Sequence, residues 1–419
     1  MAALPAIFFT LAFHPAGNDR SGREAANAIR AGAARVNITP QESLPMSGYA
    51  GREGGFTDIR DSLYATALVL EGDGRQICLI TPDLIGFSNE FWRSFAAAVE
   101  RATGIPRDNV VLSATHNHGG PVTRAYGEQV STALDKYLDE LQQDMIRAVA
   151  MAQRDLQTVR MGYGEGECRM NINRRTRHPQ GGIWLGKNPY GICDHRIGVW
   201  RIDKADGKPM AMVVNWPCHA TVNGQTNMRI TGDWPGAAAR YLREKYGEEL
   251  QVLVTAGASG DIDPIYGPND NFSHIDEIGL RVADEVQRVA AQLATVPQSG
   301  LAVAQRELMA PGRKPSASRL PGQSLEPGED VPMRLVLVRA GSMTLAGVSG
   351  EVMTEIGMDL RNMMGPQSMV LTHCNGSSGY LCTDAAYEEG GYESMVTRVM
   401  PGVAGLITEG IREMMKGLE

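Results

Sequence analysis

Residues 110–120 read Val-Val-Leu-Ser-Ala-Thr-His-Asn-His-Gly-Gly, an apolar run that stops on a cluster of polar and ligating side chains. Five further runs of this β-type lie at residues 76–81, 211–215, 252–255, 344–348 and 369–372. Helical spacing separates them. Leu134, Leu138, Leu141, Met145 and Val149 form one stripe within residues 131–156. A second stripe runs through Ile275, Ile278, Val282, Val286, Val289 and Leu293, with Ser273 as the expected N-cap and Asp276 three residues on. Asp233 is expected to cap a third helix reaching Tyr246. Strands separated by helices of this length predict an α/β fold with mixed, partly parallel sheets flanked by helices.

Four more runs end as residue 110–114 does, in chemistry. They lead into Trp216-Pro217-Cys218-His219, Gly260-Asp261-Ile262-Asp263-Pro264, Ser349-Gly350-Glu351 and His373-Cys374-Asn375-Gly376. In open α/β sheets ligands bind beyond the carboxyl ends of the strands, so five such endings can meet at one site.

The whole chain bounds what that site can serve. It has 419 residues, 40 Lys and Arg against 48 Asp and Glu, and a formal net charge of −8, which argues against a nucleic-acid partner. No apolar run reaches the roughly 18–20 residues of a membrane-spanning helix, so stable membrane insertion is not expected. The six cysteines are scattered without CxxC spacing and read as reduced core thiols. Residues 4–13 resemble the apolar core of a signal peptide but no Lys or Arg precedes them, which leaves cytoplasmic and exported locations both open. Residues 1–33 therefore read as a leader or extension, and 34–419 as a single domain. Within it, the five prolines of residues 311–332 predict an exposed loop, and Met353, Met358, Met363 and Met364 read as core filling on a helix.

The metal reading is the sharper one. An HxH pair on an extended segment puts His116 and His118 on the same side, because strand side chains alternate. One ring can ligate a metal while the other meets substrate or bound water; a pair of structural histidines is the plainer alternative. His219 offers a second nitrogen and Glu351 an oxygen. Two His and one carboxylate form a common zinc set that leaves a position for water. His14, His178, His195, His274 and His373 show no comparable spacing.

Residues 114–121, Ala-Thr-His-Asn-His-Gly-Gly-Pro, resemble the ATHTHSGP motif of the neutral, non-lysosomal ceramidases. Further likenesses follow in order: Asn173-Arg174 to NRS, Asn215-Trp216 with His219 to NWxxxH, and Thr231-Gly232-Asp233 to SGD. Gly260-Asp261-Ile262-Asp263-Pro264 is similar to GDVSP, Gly350-Glu351 to PGE, Asn375 with Tyr380 to NxYxxY, and Tyr392-Glu393 to the later YE. The similarity spans roughly residues 34–397. It implies a zinc hydrolase of that fold, with His116, His219, Glu351 and Tyr380 as zinc ligands. It also implies that His118, Arg174 and Tyr392 line the substrate site and that zinc-bound hydroxide attacks an amide; Asp261 and Asp263 are read beside them as further catalytic candidates.

Departures from the pattern redirect the substrate. Asp263 stands where the family has an active-site serine, and is expected to act as a general base on the zinc-bound water or, alternatively, as a loop or specificity residue. Ser377 replaces the first tyrosine of NxYxxY. The resulting expectation is a zinc amidohydrolase acting on a small-molecule amide, ceramide itself being disfavoured. A zinc esterase or lactonase on the same site, and a non-catalytic zinc-containing binding protein, are the alternatives; oligomeric state is not legible.

Overall fold

The computed structural model describes residues 28–123 and 131–418. Its architecture follows from the six apolar runs, which form three parallel pairs. Arg75–Pro82 pairs with Val110–Leu112, Pro209–Trp216 with Gln251–Ala256, and Met343–Val348 with Ser368–Leu371. Parallel neighbours need a crossover, and each pair has one helix between its strands: Asn89–Thr103, Asp233–Tyr246 and Thr354–Met364. Strands buried on both faces read as continuous apolar runs, which is why these six stood out in the sequence.

Antiparallel strands complete two sheets. From edge to edge the larger contains Gln251–Ala256, Pro209–Trp216, Arg196–Lys204, Gln157–Glu167, Arg30–Asn37, Tyr64–Gly72, Arg75–Pro82 and Val110–Leu112. The smaller contains Leu301–Ala310, Val331–Ala340, Met343–Val348 and Ser368–Leu371. Trp200, Val213 and Leu253 from the first pack with Val336, Leu345 and Leu371 from the second in one inter-sheet core. Helices cover the outer faces. Asn89–Thr103, Thr132–Arg154, Asp233–Tyr246 and Phe272–Gln292 lie on the large sheet, and Thr354–Met364 and Val403–Gly417 on the small one. The layers are thus helix, sheet, sheet, helix.

Local expectations met mixed outcomes. Ser131 caps Thr132–Arg154 by accepting from Leu134 N, as a serine before an apolar stripe should. Asn271, not Ser273, caps Phe272–Gln292, because the helix begins two residues earlier and the Asn271 side chain accepts from Ser273 N. Asp233 is the first helical residue and not the cap; its carboxylate is used by Asn223 N and Trp234 N. The first strand among the described residues starts at Arg30, ahead of the boundary expected at 34, with Ile29 and Ala31 fully buried. Gly32 in that strand has a packing cause: a Cβ there would lie 2.1 Å from Ala152 O of the covering helix. All six cysteines are unpaired and five are buried. The apolar run at residues 4–13 lies outside the described residues. Among the described residues, no helix is long and apolar enough to cross a membrane.

Candidate metal centre and active site

The three crossover units end at the same place. Leu112 leads to His116 and His118, Trp216 to His219, Ala256 to the Ser259 carbonyl, Val348 to Glu351, and Leu371 to His373. The HxH geometry differs from the sequence expectation. The strand ends at Leu112, and His116 adopts a left-handed backbone with φ of 60°. The rings of His116 and His118 converge through this loop and not through strand alternation, with Nε2 atoms 3.3 Å apart.

Backbone carbonyls fix the ring nitrogens. His116 Nδ1 lies 2.8 Å from Ile85 O, and His219 Nδ1 lies 2.6 Å from Ser259 O and 3.1 Å from Ile262 O. A carbonyl only accepts, so Nδ1 carries the proton on both rings and Nε2 is left to ligate. Burial, with the Arg174 charge beside it, holds His219 below the ordinary imidazole range and hence neutral. Both Nε2 atoms face one oxygen, Glu351 Oε2, at 3.5 and 3.4 Å. That oxygen is buried and has no hydrogen-bond donor. Convergent acceptors around an orphaned carboxylate oxygen suit a divalent cation, so the residues fit zinc.

Tyr380 joins them by strand register. The short strand Glu351–Val352 pairs in parallel with Tyr380–Leu381, and Glu351 is the direct partner of Tyr380. Burial raises the phenol well above its ordinary range. Arg174 Nη2 donates to its oxygen at 3.0 Å, which favours the phenolate that ligation of a metal would require.

Arg174 and Arg175 do not lie on the surface as a basic run would. Arg174 Nε donates to Glu393 Oε1 at 2.8 Å and Arg175 Nη1 to Glu393 Oε2 at 2.9 Å, with the Glu393 side chain wholly buried. Arg174 Nη1 is 3.5 Å from His219 Nε2, so its charge edges the ligand group. Tyr392 stands at 5.7 Å from Tyr380, ring to ring, near the Arg174 guanidinium. His118 packs against Tyr49, and its buried Nδ1 has no partner. Gly48, with φ of 96°, is required beside it, since a Cβ there would lie 2.3 Å from His118 Nδ1. Burial and the neighbouring His116 and His219 hold the His118 ring neutral.

The two aspartates sit differently from the expectation. Asp261 accepts from Asn173 Nδ2 at 3.1 Å and Thr354 N at 2.8 Å, so it braces the strand of Arg174 against the start of a helix. Asp263 accepts from Arg174 Nη1 at 3.3 Å and lies 3.7 Å from Lys187 Nζ. Burial alone would raise its pKa, but Arg174 and Lys187 outweigh burial and hold it below the ordinary carboxylate range. A carboxylate already engaged by two cations is a poor proton acceptor. Asp263→Asn is therefore expected to lower turnover by less than about tenfold, against the 10²–10⁴ typical of an acid–base residue. Steady-state kinetics showing a loss in the larger range would return the general-base role to Asp263.

Sequence reasoning missed His373, Glu393, Lys187 and Tyr49. Glu393 belonged to a quoted motif but had been given no role. His373 stood at one of the five strand endings, yet nothing in its spacing pointed to His116, on which its ring stacks at 3.6 Å. The loop at 311–330 also does more than cross the surface. Its Arg319 lies over the rings of Trp184 and Tyr392, and Arg313 is buried and donates to Ser394 O.

Comparisons with known proteins bear on the family and the fold. The chain is 27% identical over 285 residues to neutral ceramidase of Pseudomonas aeruginosa, covering 63% of this chain and 42% of that protein. It is 30% identical over 172 residues to neutral ceramidase A of Dictyostelium discoideum, covering 38% and 24%. It thus spans under half the length of these curated relatives. Among solved structures, neutral ceramidase from Pseudomonas aeruginosa superposes with a TM-score of 0.78 at 19% identity, covering 93% of this chain and 74% of that one. A structure described as ceramidase complexed with C2 gives 0.77 at 19% identity, covering 93% and 76%. The model of the neutral/alkaline non-lysosomal ceramidase N-terminal domain matches residues 30–291, more than half of the sequence, and the chain belongs to that family.

Proposed function

We propose that the protein is a zinc-dependent amidohydrolase that cleaves the amide of a small N-acyl substrate bearing a hydrocarbon part. The observation that carries this reading is the convergence of His116 Nε2 and His219 Nε2 on the donorless Glu351 Oε2, with Tyr380 in register beside it. His116, His219, Glu351 and Tyr380 would hold the ion. Zinc, when bound, lowers the pKa of a water ligand to about 7 and polarises a carbonyl oxygen. Arg174 is preorganised by Glu393 and Asp263, so its guanidinium can meet developing negative charge without rearranging. Tyr392 supplies a second hydroxyl beside it, and His118 turns its Nε2, 3.3 Å from His116 Nε2, toward the same space. The names of the curated relatives support an amide over an ester. Exposed Trp184, Leu185, Tyr190, Ile192 and Leu320, on two segments that pack together beside Arg319, support a substrate with an apolar portion.

The direct test is a turnover screen of the zinc-loaded protein on N-acyl amides, esters and lactones of graded chain length. Amide hydrolysis abolished by chelation and restored by zinc is expected. Ester or lactone turnover without any amide turnover would change the substrate class, and equimolar zinc with no turnover would favour a binding protein. At saturating zinc, Arg174→Ala is expected to lower kcat by about 10²–10³, the loss typical of an oxyanion donor. Unchanged kcat in that variant would remove Arg174 from the reaction.

A further inference from the structure

His373 is a buried imidazole at the metal centre that the zinc reading leaves unused. Its ring lies face to face with that of His116, centroids 3.6 Å apart and planes within 15°. One nitrogen of His373 lies within 4.8 Å of the ligating atoms of His116 and Glu351. The parallel planes decide against a shared ion. Lone pairs of imidazoles lie in the ring plane, so those of two stacked rings run side by side and do not converge.

What the stack controls is the plane of His116. Hydrogen bonding of Nδ1 to Ile85 O fixes one in-plane direction but allows the ring to swing about that line. His219 has two carbonyls on its Nδ1, whereas His116 has one. A flat ring against one face blocks the swing. The backbone is built to hold it there. His373 has φ of 50°, and Asn375 beside it donates Nδ2 to Val110 O while its Oδ1 accepts from Leu112 N. His373 N donates to Gly350 O, next to Glu351. The His373 segment is thereby stitched to both the strand that leads to His116 and the turn that carries Glu351.

We propose that His373 is a positioning residue that fixes the plane of the His116 imidazole by stacking, and so sets the affinity of the site for its divalent ion. This rests on the zinc reading above. The test measures the zinc dissociation constant by chelator competition for the wild type, His373→Ala and His373→Phe, with thermal melts of the metal-free proteins to confirm folding. His373→Ala is expected to weaken zinc by about 10–100-fold, the range for loss of a group that orients a ligand, and His373→Phe to remain within about threefold because it keeps the flat face. Near-normal affinity in His373→Ala overturns the proposal, as does equal weakening in both variants, which would make the nitrogen itself the active feature. A wild type that binds no zinc overturns the metal reading as well, and is thereby told apart from failure of the stack alone.

Discussion

Replacing His219 by alanine is expected to strip most of the zinc from the purified protein and to reduce hydrolysis by more than about 100-fold, the upper end of what loss of a mere outer-shell partner costs. The side chain is almost wholly buried, and two carbonyls hold its Nδ1 so that Nε2 is aimed at Glu351 Oε2. Removal also takes from Glu351 Oε2 one of its two close Nε2 neighbours, leaving that of His116. His178 provides the control: it stacks on Trp184 outside the ligand group, and His178→Ala is expected to keep its zinc. Elemental analysis of the two variants decides the matter, and full zinc occupancy in His219→Ala would sink the ligand assignment.

Glu393→Ala is expected to have the largest effect on stability. Its carboxylate is fully buried and is shared by Arg174 and Arg175, whose side chains are themselves at most 8% exposed. Deleting one partner of a buried ion pair leaves charge without compensation, at a cost of about 3–5 kcal/mol. Urea unfolding monitored by tryptophan fluorescence measures it. Glu393→Gln keeps the shape and one accepting oxygen, and is expected to fall between the wild type and Glu393→Ala. Turnover is expected to drop in both, because Arg174 loses the anchor that aims it past His219 and Tyr380. A change below about 1 kcal/mol in Glu393→Ala, the scale of an exposed pair, would show that the network is solvated and loose.

Much of the site lay on segments the sequence had already marked. His116, His219, Glu351 and His373 all follow ends of the six apolar runs, and those runs are the parallel pairs with their crossover helices. The antiparallel strands were harder to see. Asn171–Arg177 and Ile183–Asn188 are rich in polar residues, and Gln157–Glu167 carries Gly162, Gly164 and Gly166. At Gly162 the glycine is a packing requirement, since a Cβ would lie 2.7 Å from the backbone oxygen of Ala294. Such strands show no apolar alternation, because their pairing is imposed by neighbours.

The sequence by itself determined which segments are buried strands and amphipathic helices, and therefore the α/β class and the region where ligating side chains collect. Burial imposes a period along the chain, and a period can be read from residue order. Only the tertiary structure decided that Glu351 meets Tyr380 by register, that Asp263 is occupied by Arg174 and Lys187, and that His373 lies flat on His116. Those contacts join residues far apart in the chain, through left-handed turns at His116 and His373 that side-chain type does not announce. A through-space neighbour leaves no periodic trace in the sequence, so its chemistry becomes visible only when the backbone has closed around it.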